Sequence, residues 1–153
     1  MGNICRSPAA EGIAKKILGD KGLNGKIEID SAGTLDYHSG EPPDPRMIMH
    51  ASKRGYELNH LARQFNSEKD FEYFDYIVTM DDEIFNEINS LDRKKEYKNK
   101  ILKMASFSSN PDITEVPDPY YSRSEGFELV LDILEDTVNG LLKKVEDDIR
   151  REN

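Results

Sequence analysis

The stretch that decides the fold is GNICRSPAAEGIAKKIL, residues 2–18. Apolar residues recur at helical spacing after Ser7 and Pro8, which predicts a helix with Ser7 as its N-cap and Pro8 at its first position. The loop ahead of this helix combines Gly2, which permits close backbone approach, with Arg6, which offers a two-pronged donor to an oxyanion. Such a loop suits phosphate, but a helix start needs no ligand, so these residues alone leave both interpretations open.

Composition limits the classes of function. The chain has 153 residues, and we expect residues 1–153 to form a single domain. Its 30 acidic residues against 21 Lys and Arg give a net charge of −9, which argues against nucleic acid and anionic membranes as partners. The sequence shows neither an apolar run long enough to span a bilayer nor a secretory signal, so we expect a cytoplasmic location. One cysteine and three scattered histidines predict no metal and no cofactor.

Strand and helix patterns alternate along the rest of the chain. Three strands are predicted, in KIEI (26–29), DYIVTM (75–80) and KNKILKM (98–104). Helices are predicted after the caps Asp44 and Asp81, near residues 67–74, and along an apolar stripe from Phe127 to Ile149. This alternation is typical of an α/β sandwich with a parallel sheet, in which ligands bind where strands end and helices begin.

The motif GNICRSP (2–8) resembles the signature of the low-molecular-weight protein tyrosine phosphatases. Further family motifs follow in the family's order, namely DSAGT (30–34), PPDPR (42–46), ARQ (62–64), FDYIVTMD (74–81) and DPYY (118–121). The resemblance implies a three-layer α/β sandwich, whose four-stranded parallel sheet has helices on both faces. It also implies hydrolysis of phosphotyrosine through a cysteinyl-phosphate intermediate, with a phosphotyrosine-containing protein or another aryl phosphate as the partner.

The resemblance assigns roles to individual residues. The phosphate-binding loop is expected to comprise Gly2, Asn3, Ile4, Cys5, Arg6 and Ser7, with Ser31 and His60 supporting it. Tyr37, Tyr120 and Tyr121 are expected to form the aromatic walls of the substrate pocket. Arg6 and Asp118 are the expected catalytic residues, and Asp118 would act as the general acid, although an Asp between two prolines is by itself typical of a turn.

The sequence departs from the family pattern at its first residue. The family's nucleophilic cysteine ends an apolar first strand and would stand immediately before Met1, so we expect an N-terminally truncated form that lacks this strand and is inactive by itself. Cys5 is a poor substitute, because the family's interval between nucleophile and arginine, counted from Cys5, ends at Glu11, an anion that repels phosphate.

Two alternatives stay open at the level of sequence. A chain without its nucleophile is also consistent with a catalytically dead phosphate-binding protein or a regulatory fragment. Arsenate reduction on the same fold is less favoured, because it needs further reactive cysteines to carry electrons and the sequence has only Cys5.

Overall fold

The structure, a computed structural model, describes residues 2–152. Within that range, helices and strands follow in the order α1 (Arg6–Asp20), α2 (Pro45–Lys53), α3 (Asp70–Tyr73), β1 (Ile77–Thr79), α4 (Asp82–Leu91), β2 (Ile101–Lys103) and α5 (Ser124–Glu152). Two 3₁₀ turns, Lys98–Lys100 and Met104–Phe107, flank β2. In the described part of the chain, no helix combines the length and the apolar character that crossing a membrane requires.

The two strands pair in parallel, with Ile77 opposite Ile101 and Thr79 opposite Lys103. Side chains alternate between the two faces of the sheet. Ile77 and Ile101 join a cluster with α3 and α4, whereas Val78 packs against a larger core formed with α1, α2 and α5. The sheet therefore lies between two helical layers, and the chain has the α/β sandwich architecture that the sequence predicts.

The larger core is built on the contact between α1 and α5. Three alanines of α1, Ala9, Ala10 and Ala14, are buried, and their small side chains let the two helices approach closely. The apolar stripe predicted for the last helix is confirmed. Its buried members are Phe127, Val130, Ile133, Leu134, Val138, Leu142 and Val145, while Leu141 and Ile149 are half-buried.

Both predicted aspartate caps are confirmed. The N–H of Arg46 donates to Asp44 Oδ1 at 2.9 Å, and the N–H of Ile84 donates to Asp81 Oδ1 at 2.8 Å. The predicted cap of the first helix is wrong. Helix α1 begins at Arg6 and has Cys5 at its N-cap, because the Ala9 N–H already donates to the Cys5 carbonyl at 3.3 Å. Ser7 lies in the first turn.

The predicted strand at KIEI is also wrong for the described chain. Residues 27–32 form no strand, and the nearest ladder contact is an isolated parallel bridge between Gly33 and Gln64. A strand needs a neighbour to accept its hydrogen bonds. Here an apolar groove of about 220 Å³ lies beside this segment, and its lining includes Ile27 and Ile29 on one side and Ile77 and Val78 of β1 on the other.

We expect an apolar strand fused ahead of Met1 to fill this groove. Such a strand would pair with both backbone edges and bury apolar surface worth about 25 cal/mol per Å². Relative to the chain 1–153, this strand-fused chain should melt roughly 10 °C higher and should lose binding of a hydrophobic dye. A Gly/Ser segment of equal length is the control. Equal melting temperatures for the two fusions would contradict a strand site in the groove.

Candidate active site

The loop of residues 2–7 is held by the side chain of Asn3, which is buried and has a left-handed backbone with φ 64°. Asn3 Oδ1 accepts hydrogen bonds from His60 Nε2 at 2.8 Å and from the Arg63 N–H at 3.0 Å. Asn3 Nδ2 donates to Ser31 Oγ at 3.1 Å, and Ser31 Oγ donates to Glu11 at 2.7 Å. These bonds offset a backbone conformation that few residues other than glycine adopt.

The inner surface of the loop presents unused donors. Four consecutive N–H groups, those of Ile4, Cys5, Arg6 and Ser7, have no acceptor among residues 2–152. The last two open helix α1, where the helix dipole is positive. The loop also comes close to a neighbouring side chain, since a Cβ on Gly2 would lie 2.6 Å from Cδ2 of His38.

The guanidinium of Arg6 is buried and ties three segments together. Nη1 donates to Asp81 Oδ2 at 2.7 Å and to the Val116 carbonyl at 2.8 Å. Burial tends to raise the pKa of Asp81, but hydrogen bonds from the Ile84 N–H and from Arg6 outweigh burial and hold that pKa below its usual value. Nε and Nη2 of Arg6 make no hydrogen bond to any other described residue and stay available to an anion.

A cavity of about 330 Å³ opens over the loop. It is lined by Gly2, Asn3, Ile4, Cys5, Arg6, Ser7, Leu35, Tyr37, His38, Asp118, Tyr120 and Tyr121. Tyr37 and Tyr121 are largely exposed at 77% and 95%, and Tyr120 is half-buried. Among the residues singled out by sequence, Ser31 and His60 do not line this cavity and lie behind the loop against Asn3.

Cys5 lies inside the loop and is 5% exposed. Burial is the main cause that raises the pKa of its thiol to about 12, and the nearby carboxylates Asp44 and Asp118 add to the effect. A thiol with this pKa is neutral at physiological pH, so Cys5 is a poor nucleophile where it stands.

One cluster has the composition of a metal site. Side-chain ligand atoms of Glu11, Asp30 and His60 lie within 4.8 Å of one another. The carboxylate of Glu11, however, accepts from Ser31 Oγ and pairs with Lys15 Nζ at 2.6 Å. With these partners the Glu11 carboxylate is part of a hydrogen-bond network behind the loop.

Sequence reasoning missed three residues at or beside the site: Asp81, His38 and Arg46. Asp81 is identified in the sequence only as a helix cap, yet its second oxygen binds Arg6 from 75 residues away. Arg46 stands in the PPDPR motif, and its contact with Tyr120 spans 74 residues. A buried arginine needs a carboxylate, and that requirement was the available signal for Asp81.

The chain is similar to known proteins along most of its length. The family model for low molecular weight phosphotyrosine protein phosphatase matches residues 1–151. A low molecular weight phosphotyrosine protein phosphatase of Gallus gallus is 39% identical, over 85% of this chain and 82% of its own length. The crystal structure of a protein tyrosine phosphatase from Entamoeba histolytica superposes with a TM-score of 0.90 at 46% identity, covering 97% of this chain and 94% of that one. YfkJ from Bacillus subtilis superposes with a TM-score of 0.90 at 35% identity, covering 97% and 91%.

We expect Cys5 to resist alkylation in the folded chain. At pH 8, a thiol with a pKa of about 12 is ionised in about one molecule in ten thousand, and only the thiolate reacts. Reaction with iodoacetamide should be slow at pH 8, should accelerate as the pH rises toward 12, and should be fast at pH 8 in denaturant. Rapid alkylation of the folded chain at pH 7 would show that the thiol is not buried.

Substitutions at Asp81 should separate its two contacts. In the strand-fused chain, Asp81→Ser keeps a capping oxygen but removes the partner of Arg6, which should cost about 3 kcal/mol. Asp81→Ala also removes the cap and should cost about 1 kcal/mol more. Urea unfolding measures both. A serine variant as stable as the parent would refute the importance of the buried pair.

Proposed function

Because the chain belongs to the low molecular weight phosphotyrosine protein phosphatase family, we propose that its site hydrolyses phosphotyrosine through a cysteinyl-phosphate intermediate. Members of this family are phosphoric monoester hydrolases. We propose further that the nucleophile is a cysteine immediately ahead of Met1, and that the polypeptide 1–153 has no turnover without it.

One observation carries the proposal: the loop of residues 2–7, which includes Arg6, and the Asp118 side chain line the same cavity. The loop N–H groups and Arg6 nitrogens that have no partner among residues 2–152 suit a phosphate dianion. Donors fixed before the substrate arrives stabilise the charge that develops on the phosphoryl oxygens. The neutral thiol of Cys5 supports a nucleophile other than Cys5.

In the first step, the thiolate attacks phosphorus while the bond from phosphorus to the tyrosyl oxygen breaks. The leaving phenolate has an ordinary pKa of about 10, so protonation by the Asp118 carboxyl as the bond breaks is worth on the order of 10²- to 10⁴-fold. The products are free tyrosine hydroxyl, cysteinyl phosphate and the Asp118 carboxylate. Arg6 and the loop N–H groups bind the phosphoryl oxygens throughout.

In the second step, the Asp118 carboxylate takes a proton from water as that water attacks the cysteinyl phosphate. The sulfur–phosphorus bond breaks, which releases inorganic phosphate and restores both the thiolate and the Asp118 carboxyl. The same residue thus serves as acid and then as base.

The walls of the cavity favour an aryl substrate. Tyr37, Tyr120 and Tyr121 offer flat faces and edges, and the rings of Tyr120 and Tyr121 meet edge-on with centroids 4.9 Å apart. Aromatic pairs prefer such offset or edge contacts, so a phenyl phosphate fits this slot better than an aliphatic one. A phosphotyrosine side chain on a protein is the substrate that these features support.

The proposal is tested with two fusions that differ in one atom. The added strand ends, directly before Met1, in either cysteine or serine. We call the first fusion the cysteine-ended chain and the second the serine-ended chain. We expect only the cysteine-ended chain to hydrolyse p-nitrophenyl phosphate and a phosphotyrosine peptide. Trapping with acid during turnover should leave phosphate bound to the added cysteine.

Two outcomes would contradict the proposal. Turnover by the chain 1–153 or by the serine-ended chain would refute the role of the added thiol. An inactive cysteine-ended chain that binds inorganic phosphate, with binding lost in Arg6→Met, would instead favour a phosphate-binding protein without catalysis.

A further inference from the structure

Residues 117–123 carry Asp118, and we call them the Asp118 loop. Its own hydrogen bonds are short-range, from the Tyr120 N–H to Asp118 Oδ1 at 3.1 Å and from the Ser122 N–H to the Pro119 carbonyl at 2.8 Å. These bonds close turns without fixing the direction in which the loop points. Asp118 and Tyr121 are exposed, so burial does not hold the tip either. Neighbouring helices must orient the loop.

Helix α5 holds one end of the loop. A Cβ on Gly126 would lie 2.3 Å from Cβ of Ser122, so the first turn of α5 approaches the loop more closely than any other residue type allows. This contact stands four residues beyond Asp118. It fixes the exit of the loop and leaves the segment around Tyr120 to be held from elsewhere.

Arg46, in the first turn of α2, contacts that segment. Its Nη2 donates to the Tyr120 carbonyl at 2.8 Å. The guanidinium also lies 5.5 Å from the ring centroid of Tyr120 and 4.8 Å from that of Phe127 in α5. A planar guanidinium makes both the hydrogen bond and the face contact, which the compact ammonium of a lysine does not reproduce.

The same guanidinium is anchored to the phosphate side of the cavity. Its Nε and Nη2 donate to the two oxygens of Asp44 at 3.0 and 2.8 Å, and the hydrogen bond from Arg46 holds the pKa of Asp44 below its usual value. Asp44 is buried, and its N–H donates to the Ile4 carbonyl at 2.8 Å. One ion pair therefore joins the loop of residues 2–7 to the Asp118 loop.

We propose that Arg46 is a positioning residue that sets the distance between the Asp118 carboxyl and the bond being broken, an inference that rests on the function proposed above. Proton transfer requires a heavy-atom separation of about 2.6–3.2 Å. A loop that shifts by an ångström loses that geometry, while Arg6 and the loop N–H groups still bind phosphate. Arg46 itself touches no reacting atom.

The test is the dependence of kcat/KM on the leaving group in the cysteine-ended chain. This ratio reports the first step alone, whereas kcat also contains hydrolysis of the cysteinyl phosphate, which is the same for every leaving group. Phenyl phosphate releases a phenol with a pKa of about 10 and needs the proton, whereas p-nitrophenol leaves readily as an anion. For Arg46→Gln we expect kcat/KM to fall at least about tenfold for phenyl phosphate and less than about threefold for p-nitrophenyl phosphate. Binding of inorganic phosphate should be unchanged within about a factor of two.

Two controls separate positioning from general loosening of α2. Arg54→Gln removes another arginine of the α2–α5 contact, one paired with Glu128, Asp132 and Glu135, and should leave the leaving-group dependence unchanged. In an Asp118→Asn background, Arg46→Gln should lower kcat/KM for phenyl phosphate by less than about twofold, because the group through which it acts is already gone.

Hydrogen exchange supplies a readout that needs no turnover. In Arg46→Gln, the amides of Tyr120 and Ser122 should exchange at least about tenfold faster, and in Arg54→Gln they should not change. An equal loss of kcat/KM for every leaving group, additive effects with Asp118→Asn, or unchanged exchange would each overturn the inference. A parent cysteine-ended chain without turnover would overturn the proposed function, and exchange would then decide alone whether Arg46 orders the loop.

Discussion

The structure depends most on one buried cation, the guanidinium of Arg6. A charge removed from water must be paired, and the chain pairs it with Asp81 and with the Val116 carbonyl. These partners come from the end of β1 and from the segment before the Asp118 loop, so satisfying one charge brings three distant parts of the chain together. Since Asp81 uses one oxygen for Arg6 and the other for the first turn of α4, the cation also fixes where that helix starts.

Local patterns in the sequence predicted most of the elements. Helices α2 and α4 begin after aspartates whose side chains cap them, and α5 follows an apolar stripe, because caps and stripes are properties of neighbouring residues. The KIEI segment failed as a strand for the opposite reason. Its alternation is correct for a pleated chain, but a strand exists only when another strand lies beside it, and residues 27–32 have an open groove there.

The residues of the candidate site fall into the same two groups, those that local sequence predicts and those that only the folded chain brings together. The loop residues 2–7 were visible because glycine, arginine and a helix start stand next to one another in the sequence. Asp81 and Arg46 were visible only as a cap and as part of a motif, since their partners are 75 and 74 residues away. Which carboxylate meets a given arginine is decided by the packing of the whole fold, and no local pattern encodes it.

The groove between residues 27–29 and β1 has a consequence for how the chain 1–153 behaves in a test tube. Its walls carry apolar side chains beside β1, whose backbone pairs with β2 and with no other strand among residues 2–152, and this combination can template the addition of a foreign strand. Pairing of two copies through this groove would grow with protein concentration, so dilution would favour the single molecule. Colloidal repulsion from a net charge of −9 opposes that assembly and weakens as salt is added.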